Sequence, residues 1–126
     1  PMVNRRALPA VTLAQDTSTI TACGNDYSYE DIFARTLEAL GSPGDCLLAI
    51  TTSGNSENVY RALKLAKEKD MHTFGFLGAG GGRCLSLCDH AFVVPSDNTA
   101  NIQEAHIVAG HALMTYAEDS LVSDLL

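Results

Sequence analysis

The stretch that decides the fold is Leu47-Leu48-Ala49-Ile50-Thr51-Thr52-Ser53-Gly54-Asn55-Ser56. An apolar run ends in hydroxyls, a glycine and an amide, and a helical pattern starts at once from Glu57. Strand, short polar loop and helix N-terminus in that order make an anion site. The loop supplies N–H groups and short donors, and the helix dipole favours negative charge. An ordinary βα turn with a Ser N-cap has the same outline. The hydroxyls of Thr51, Thr52, Ser53 and Ser56 exceed what capping needs, and this points to a phosphate.

Working outward, Cys46 to Ile50 is apolar at consecutive positions, which predicts a strand covered on both faces, with Cys46 as a small core residue. Glu57 to Lys69 reads as an amphipathic helix. Val59, Ala62, Leu63 and Ala66 face the sheet, while Arg61, Lys64, Lys67 and Lys69 look outward or toward the helix C-terminus. Upstream, Ala10 to Leu13 reads as a first strand. Gln15 to Thr19 is turn-like, Ile20 to Cys23 is a short strand or a helical turn, and Gly24 to Ser28 is a loop. Ser28 and Asp31 form a capping-box-like start to a helix that Gly41 and Pro43 end.

Downstream, Thr73 to Leu77 is a strand that gives way to Gly78-Ala79-Gly80-Gly81-Gly82. That run lacks dinucleotide-loop spacing and an acidic ribose partner, so it reads as a turn where backbones pack closely. A short helix from Arg83 to Cys88 and a strand from His90 to Val94 follow, the latter stopped by Pro95. The final helix spans roughly Ala100 to Leu121. Its packing stripe is Ile102, Ala105, Ala109, Leu113 and Tyr116. Gln103, Ile107 and His111 lie along a second side, each four residues apart. Alternating strands and helices predict a doubly wound parallel sheet with helices on both faces, whose ligands bind beyond the strand carboxyl ends.

The chain has 126 residues, one domain's worth, with 46% apolar residues and a formal charge of −7. That acidity argues against nucleic acid and anionic membrane surfaces as partners. No apolar run reaches the ~20 residues of a membrane span, and without a visible signal peptide the expected compartment is the cytoplasm. Cys84 and Cys88 lack a second Cys/His pair at zinc spacing and read as buried thiols. The leading Pro1, just ahead of Met2, reads as the continuation of upstream sequence.

Together these residues resemble a known family. Thr51-Thr52-Ser53-Gly54-Asn55-Ser56 resembles the S-T-S-G-N-S loop of sugar isomerase (SIS) domains. Gly24-Asn25-Asp26-Tyr27 is similar to the G-N-D-[YF] loop of its phosphoheptose isomerase branch. Ile102-Gln103-Glu104-x-His106, with His111 eight residues beyond Gln103, is similar to that branch's last helix. Leu8-Pro9-Ala10 and the run from Arg35 to Asp45 agree as well.

The resemblance implies a single SIS domain over residues 1–126, truncated at its N-terminus. It implies an α/β three-layer α-β-α sandwich with a five-stranded parallel sheet. The implied protein is a cytoplasmic homotetramer with sites between subunits, serving lipopolysaccharide or related heptose biosynthesis. The implied reaction converts sedoheptulose 7-phosphate to D-glycero-D-manno-heptose 7-phosphate through an enediol. Thr51, Thr52, Ser53 and Ser56 would hold the phosphate, Asn25 and Asp26 the sugar hydroxyls, and Gln103 and His111 the reacting end. His111 would move the proton. Gln103 and His111 would also ligate zinc where the ion is used, its remaining ligands lying upstream.

The family's carboxylate base and a histidine ligand stand on an N-terminal helix, and this sequence begins close to the family's first strand. Asn101 stands where an arginine usually precedes I-Q-E, and Gly80 where aspartate is common. The competing reading is a non-catalytic SIS-fold binding protein, either associated with a replication initiator or acting as a phosphosugar sensor. Retention of His111 favours the enzyme.

Overall fold

Three parallel strands carry the site. They are β1 (Cys46–Thr51), β2 (His72–Gly78) and β3 (His90–Val94), hydrogen-bonded in the order β1-β2-β3. The structure is a computed structural model and describes residues 6–123. The expectation attached to Pro1 and Met2 lies outside those residues. Among the described residues four α-helices accompany the sheet: α1 (Thr17–Asp26), α2 (Ile32–Leu40), α3 (Glu57–Glu68) and α4 (Thr99–Ser123).

Register fixes which side chains share a face. Leu48 pairs with Phe74, Ile50 with Phe76 and Thr51 with Leu77, while Phe76 pairs with Phe92 and Leu77 with Val93. Side chains alternate along each strand, so Leu47, Ala49 and Leu77 form one face. They pack with Ala62, Leu63 and Ala66 of α3 and Leu37 of α2 into the main core. Helix α4 covers part of the other face. Ile102, 2% exposed, fits against Gly78, where an added Cβ would come within 2.5 Å of Ile102 Cδ1. The α/β architecture with helices on both faces is therefore formed.

Several expectations need correction. β1 is covered on one face only: Cys46, Leu48 and Ile50 are exposed, while Leu47, Ala49 and Thr51 are buried. A continuous apolar run does not by itself say what covers each side. Ala10 to Leu13 forms no strand. Among the described residues no neighbouring strand takes up its backbone groups, and Val11 is 68% exposed. The five-stranded sheet is thus three-stranded among the described residues.

The turn-like run after Gln15 is the start of α1. Asp16 caps it, accepting hydrogen bonds from the backbone of Ser18 (3.2 Å) and Thr19 (3.0 Å). Asp, Ser and Thr favour turns and N-caps for the same reason, a short side chain that bonds nearby N–H groups. Asn25 and Asp26 consequently sit in the last turn of α1, not in a loop beyond a strand. The segment after the glycines holds only a 3-10 turn, Leu85–Leu87, in place of a helix from Arg83 to Cys88. In the stripe of α4, Leu113 and Tyr116 are 36% and 73% exposed, because the helix runs on past the sheet that covers its first turns.

The remaining boundaries agree with the sequence reading. The Ser28 hydroxyl donates to the Asp31 carboxylate at 2.7 Å ahead of α2, and the N–H of Gly41 bonds the Leu37 carbonyl at its end. Asn98 caps α4 through the N–H groups of Ala100 and Asn101. No helix among the described residues is long and apolar enough to cross a membrane.

Candidate active site

The loop after β1 is shaped by its own hydroxyls and by the glycine run. Thr51 Oγ1 lies 2.9 Å from Ser56 Oγ, and the Ser53 hydroxyl accepts the N–H of Asn55 at 3.1 Å. Ser56 stands at the N-cap of α3 yet makes no capping hydrogen bond with its side chain. The hydroxyl that would serve the helix is turned to Thr51 instead, and the first turn of α3 keeps its positive dipole end for an anion.

The second wall of the loop is the glycine run. Asn55 Oδ1 accepts the Arg83 N–H at 3.0 Å, and the Gly54 carbonyl accepts the Cys84 N–H at 2.9 Å. The two backbones nearly touch: a Cβ on Gly54 would lie 2.0 Å from the Gly81 carbonyl oxygen, and Gly54 has φ +67°. Only glycine allows that approach. The glycine run is thus a packing turn that braces the hydroxyl loop, as its sequence implies.

Charge around the loop is balanced by an ion network. Arg61 binds Glu57 (2.8 Å), Asp31 (2.7 Å) and Glu30 (2.7 Å), and Arg83 binds Glu57 at 2.7 Å while lying 3.7 Å over the Tyr60 ring. The Arg61 guanidinium holds the Glu57 carboxyl below its usual range, with Arg83 adding to the effect. Glu57 opens α3 beside the anion site, so this pairing keeps its negative charge from opposing a bound phosphate. Arg61, an outward-facing charge by sequence, is the hub of that network. Its signal is present in Glu30, Asp31 and Glu57, but their convergence is tertiary.

A groove of about 710 Å³ opens beside the loop. Thr51, Thr52 and Ser56 line one part of it, and Gln103, Ile107 and His111 of α4 line another. The four-residue spacing of those α4 residues therefore does place them along one side. Leu48, Ile50 and Phe76 supply the apolar floor. Ser53, Asn25 and Asp26 are not among the lining residues. The Asn25 amide instead donates to the Asp26 carboxylate at 2.8 Å on exposed surface. His106, which the sequence reading gives no role of its own, is buried and lines the same groove as Gln103 and His111.

The cysteines stand apart from this chemistry. Cys84 and Cys88 are buried and half-buried, and burial pushes both thiols up, away from reactivity. Cys46 is exposed, not a core residue, because its face of the sheet is open. His72 and His90 are exposed at the start of their strands, His90 stacking on Phe74.

The SIS domain profile matches residues 1–78, from the N-terminal segment through the end of β2. The chain belongs to the SIS-domain family. This SIS domain is 53% identical over 115 residues to a phosphoheptose isomerase of Paramagnetospirillum magneticum, covering 91% of the chain and 60% of that protein. It is 51% identical to phosphoheptose isomerase 1 of Campylobacter jejuni, covering 92% of the chain and 62% of that protein. Among solved structures, a phosphoheptose isomerase from Neisseria gonorrhoeae superposes with a TM-score of 0.85 at 43% identity. That match covers 86% of this SIS domain and 61% of the solved chain. The chain thus spans about three fifths of the length of these relatives.

Proposed function

We propose that the protein is an aldose–ketose isomerase converting sedoheptulose 7-phosphate to D-glycero-D-manno-heptose 7-phosphate. The observation that carries this reading is the groove, with an anion-ready hydroxyl loop at one part and Gln103 and His111 at another. The names of the similar proteins support it. Such an isomerisation moves a proton between adjacent carbons through an enediol. It needs a base, an acid and a donor for the developing oxyanion. Thr51, Thr52 and Ser56, with the N-terminus of α3, hold the phosphate and fix the sugar's position, and Ser53, off the groove's lining, joins them in this reading only through the loop's resemblance. His111 exchanges the proton, and the Gln103 amide donates to an oxygen at the reacting end.

Asn25 and Asp26 bind sugar hydroxyls in this reading, and since they stand off the groove they would serve a site shared between copies. The exposed apolar face supports a homotetramer: Ile50, Phe92 and Ile107 are 56%, 43% and 60% exposed. Both β1 and β3 are edges of the three-stranded sheet, so there is room for the two further strands of a five-stranded one. The same reading places the enzyme in the cytoplasm, supplying heptose for envelope glycans.

Zinc enters only in part. Gln103 and His111 offer one amide oxygen and one imidazole, and no group of three or more His, Cys, Asp or Glu gathers for a metal among the described residues. Zinc takes about four ligands, so these two do not hold it by themselves, and the further ligands and the carboxylate base would come from outside the described residues. When bound, zinc would polarise the substrate carbonyl.

The test is turnover of sedoheptulose 7-phosphate by the full-length protein and by His111→Ala. Loss of at least about 100-fold in kcat is expected, with the unfolding temperature unchanged because His111 is exposed. Wild-type turnover in the variant excludes the role. A native protein that binds the sugar phosphate without converting it would instead be the non-catalytic binding protein.

A further inference from the structure

Helix α4 carries two histidines in opposite surroundings. His111 is exposed along the groove, whereas His106 is 6% exposed. His106 Nε2 lies 2.9 Å from the carbonyl oxygen of Leu77. A carbonyl only accepts, so Nε2 carries the proton and donates it. The ring packs against Phe76 and Phe92, at centroid distances of 5.6 Å and 6.3 Å. Its other nitrogen, Nδ1, is buried with no hydrogen-bond partner.

That arrangement is poorly suited to stability alone. Stripping water from an acceptor that finds no donor costs at least as much as one neutral hydrogen bond returns. A leucine between the two phenylalanines would remove the unpaired Nδ1, although it would also take its donor from the Leu77 carbonyl. What the imidazole adds is direction. Apolar contacts let a helix slide or turn on a sheet, but one buried hydrogen bond fixes both its height and its rotation. Leu77 is the right anchor: it pairs in register with Thr51, the last residue of β1, where the hydroxyl loop begins. Gln103 and His111 ride on the same helix, three residues before and five after.

We infer that His106 is a positioning residue. Its Nε2–H bond to the Leu77 carbonyl sets α4 so that Gln103 and His111 face the hydroxyl loop. The inference rests on the proposed isomerase reading for its kinetic test and stands apart from it for the spectroscopic one.

The experiment compares wild type, His106→Leu and His106→Gln in the full-length protein. It measures thermal unfolding, kcat and KM for sedoheptulose 7-phosphate, and the ring resonances of isotope-labelled His111. His106→Leu should stay folded, with only a small change in unfolding temperature, because the loss of the donor to the Leu77 carbonyl is offset by removal of the unpaired Nδ1. Its kcat should fall at least about tenfold while KM moves less than about twofold, because the phosphate anchor lies on other elements. The His111 resonances should shift. Glutamine, whose side-chain N–H reaches the place of Nε2, should return kcat to within about threefold and restore the His111 resonances.

A purely structural role predicts otherwise, and three results overturn the inference. They are a His106→Leu protein that is unfolded, one with unaltered kcat and His111 resonances, and a glutamine variant that restores neither. If the native protein turns over no sugar phosphate, the isomerase reading fails, and the His111 resonances with the unfolding temperatures still decide the positioning role.

Discussion

Asp89 shows how much one exposed carboxylate can organise. It accepts the Thr73 N–H at 2.8 Å and the Thr73 hydroxyl at 3.2 Å, and it pairs with Lys67. These bonds, that to Lys67 foremost, lower its pKa to about 2. The ordinary carboxylate value is about 4, so the ionised group favours the folded state above that pH. The contribution fades as pH falls from about 4 through about 2. Asp89→Asn should therefore melt at a lower temperature than wild type at neutral pH and lose less further stability on acidification through that window. Parallel melting curves for the two proteins across the acid range would refute this. Gly54 sets a second limit at the same scale. Alanine there meets the Gly81 carbonyl at 2.0 Å with φ +67°, and the clash is with backbone that has no rotamer to change. Gly54→Ala should cost about 2 kcal/mol or more in urea unfolding. An unchanged midpoint would show that the glycine run yields.

Among the elements, the β1–α3 junction holds the site. Its hydroxyls bond each other and not the helix backbone, which leaves the α3 N-terminus available. Thr52→Ala combined with Ser53→Ala should weaken sugar-phosphate binding by about tenfold or more, read by calorimetry. Equal affinity would exclude this loop as the anchor. The element is legible in sequence because strand, loop and helix are contiguous, and local propensity and spacing set all three. Helix α4 is legible in a narrower sense. The line Gln103, Ile107, His111 follows from helical periodicity and does face the groove. Periodicity sets His106 one turn from Ile102 on the packed side and His111 with Gln103 on the other, but that His106 meets the Leu77 carbonyl depends on where β2 ends beneath the helix. Arg61 is similar. Its partner Glu57 lies one turn away on α3, but Glu30 and Asp31 reach it only because α2 packs against α3.

For the whole molecule, the open face is the decisive feature. Leu113 and Tyr116 belong to an apolar stripe that the sequence reads as packed, yet they are 36% and 73% exposed. Apolar residues at packing spacing that the described residues leave this exposed fit the proposed contact with another copy. If the proposed tetramer uses this face, Leu113→Asp with Tyr116→Asp should give smaller species in analytical ultracentrifugation while circular dichroism is retained. An unaltered sedimentation coefficient would place the interface elsewhere.

The sequence by itself determined the alternation of strands and helices, the parallel sheet, the hydroxyl loop and the one-sided line on α4. These depend on residues close in the chain, where period, capping and turn chemistry act. Tertiary structure set which face of β1 is covered, that Asn25 and Asp26 close a helix away from the groove, and that the buried His106 meets the Leu77 carbonyl. Those outcomes depend on which distant segments lie beside one another, and an apolar or polar side chain does not carry that information in its own neighbourhood.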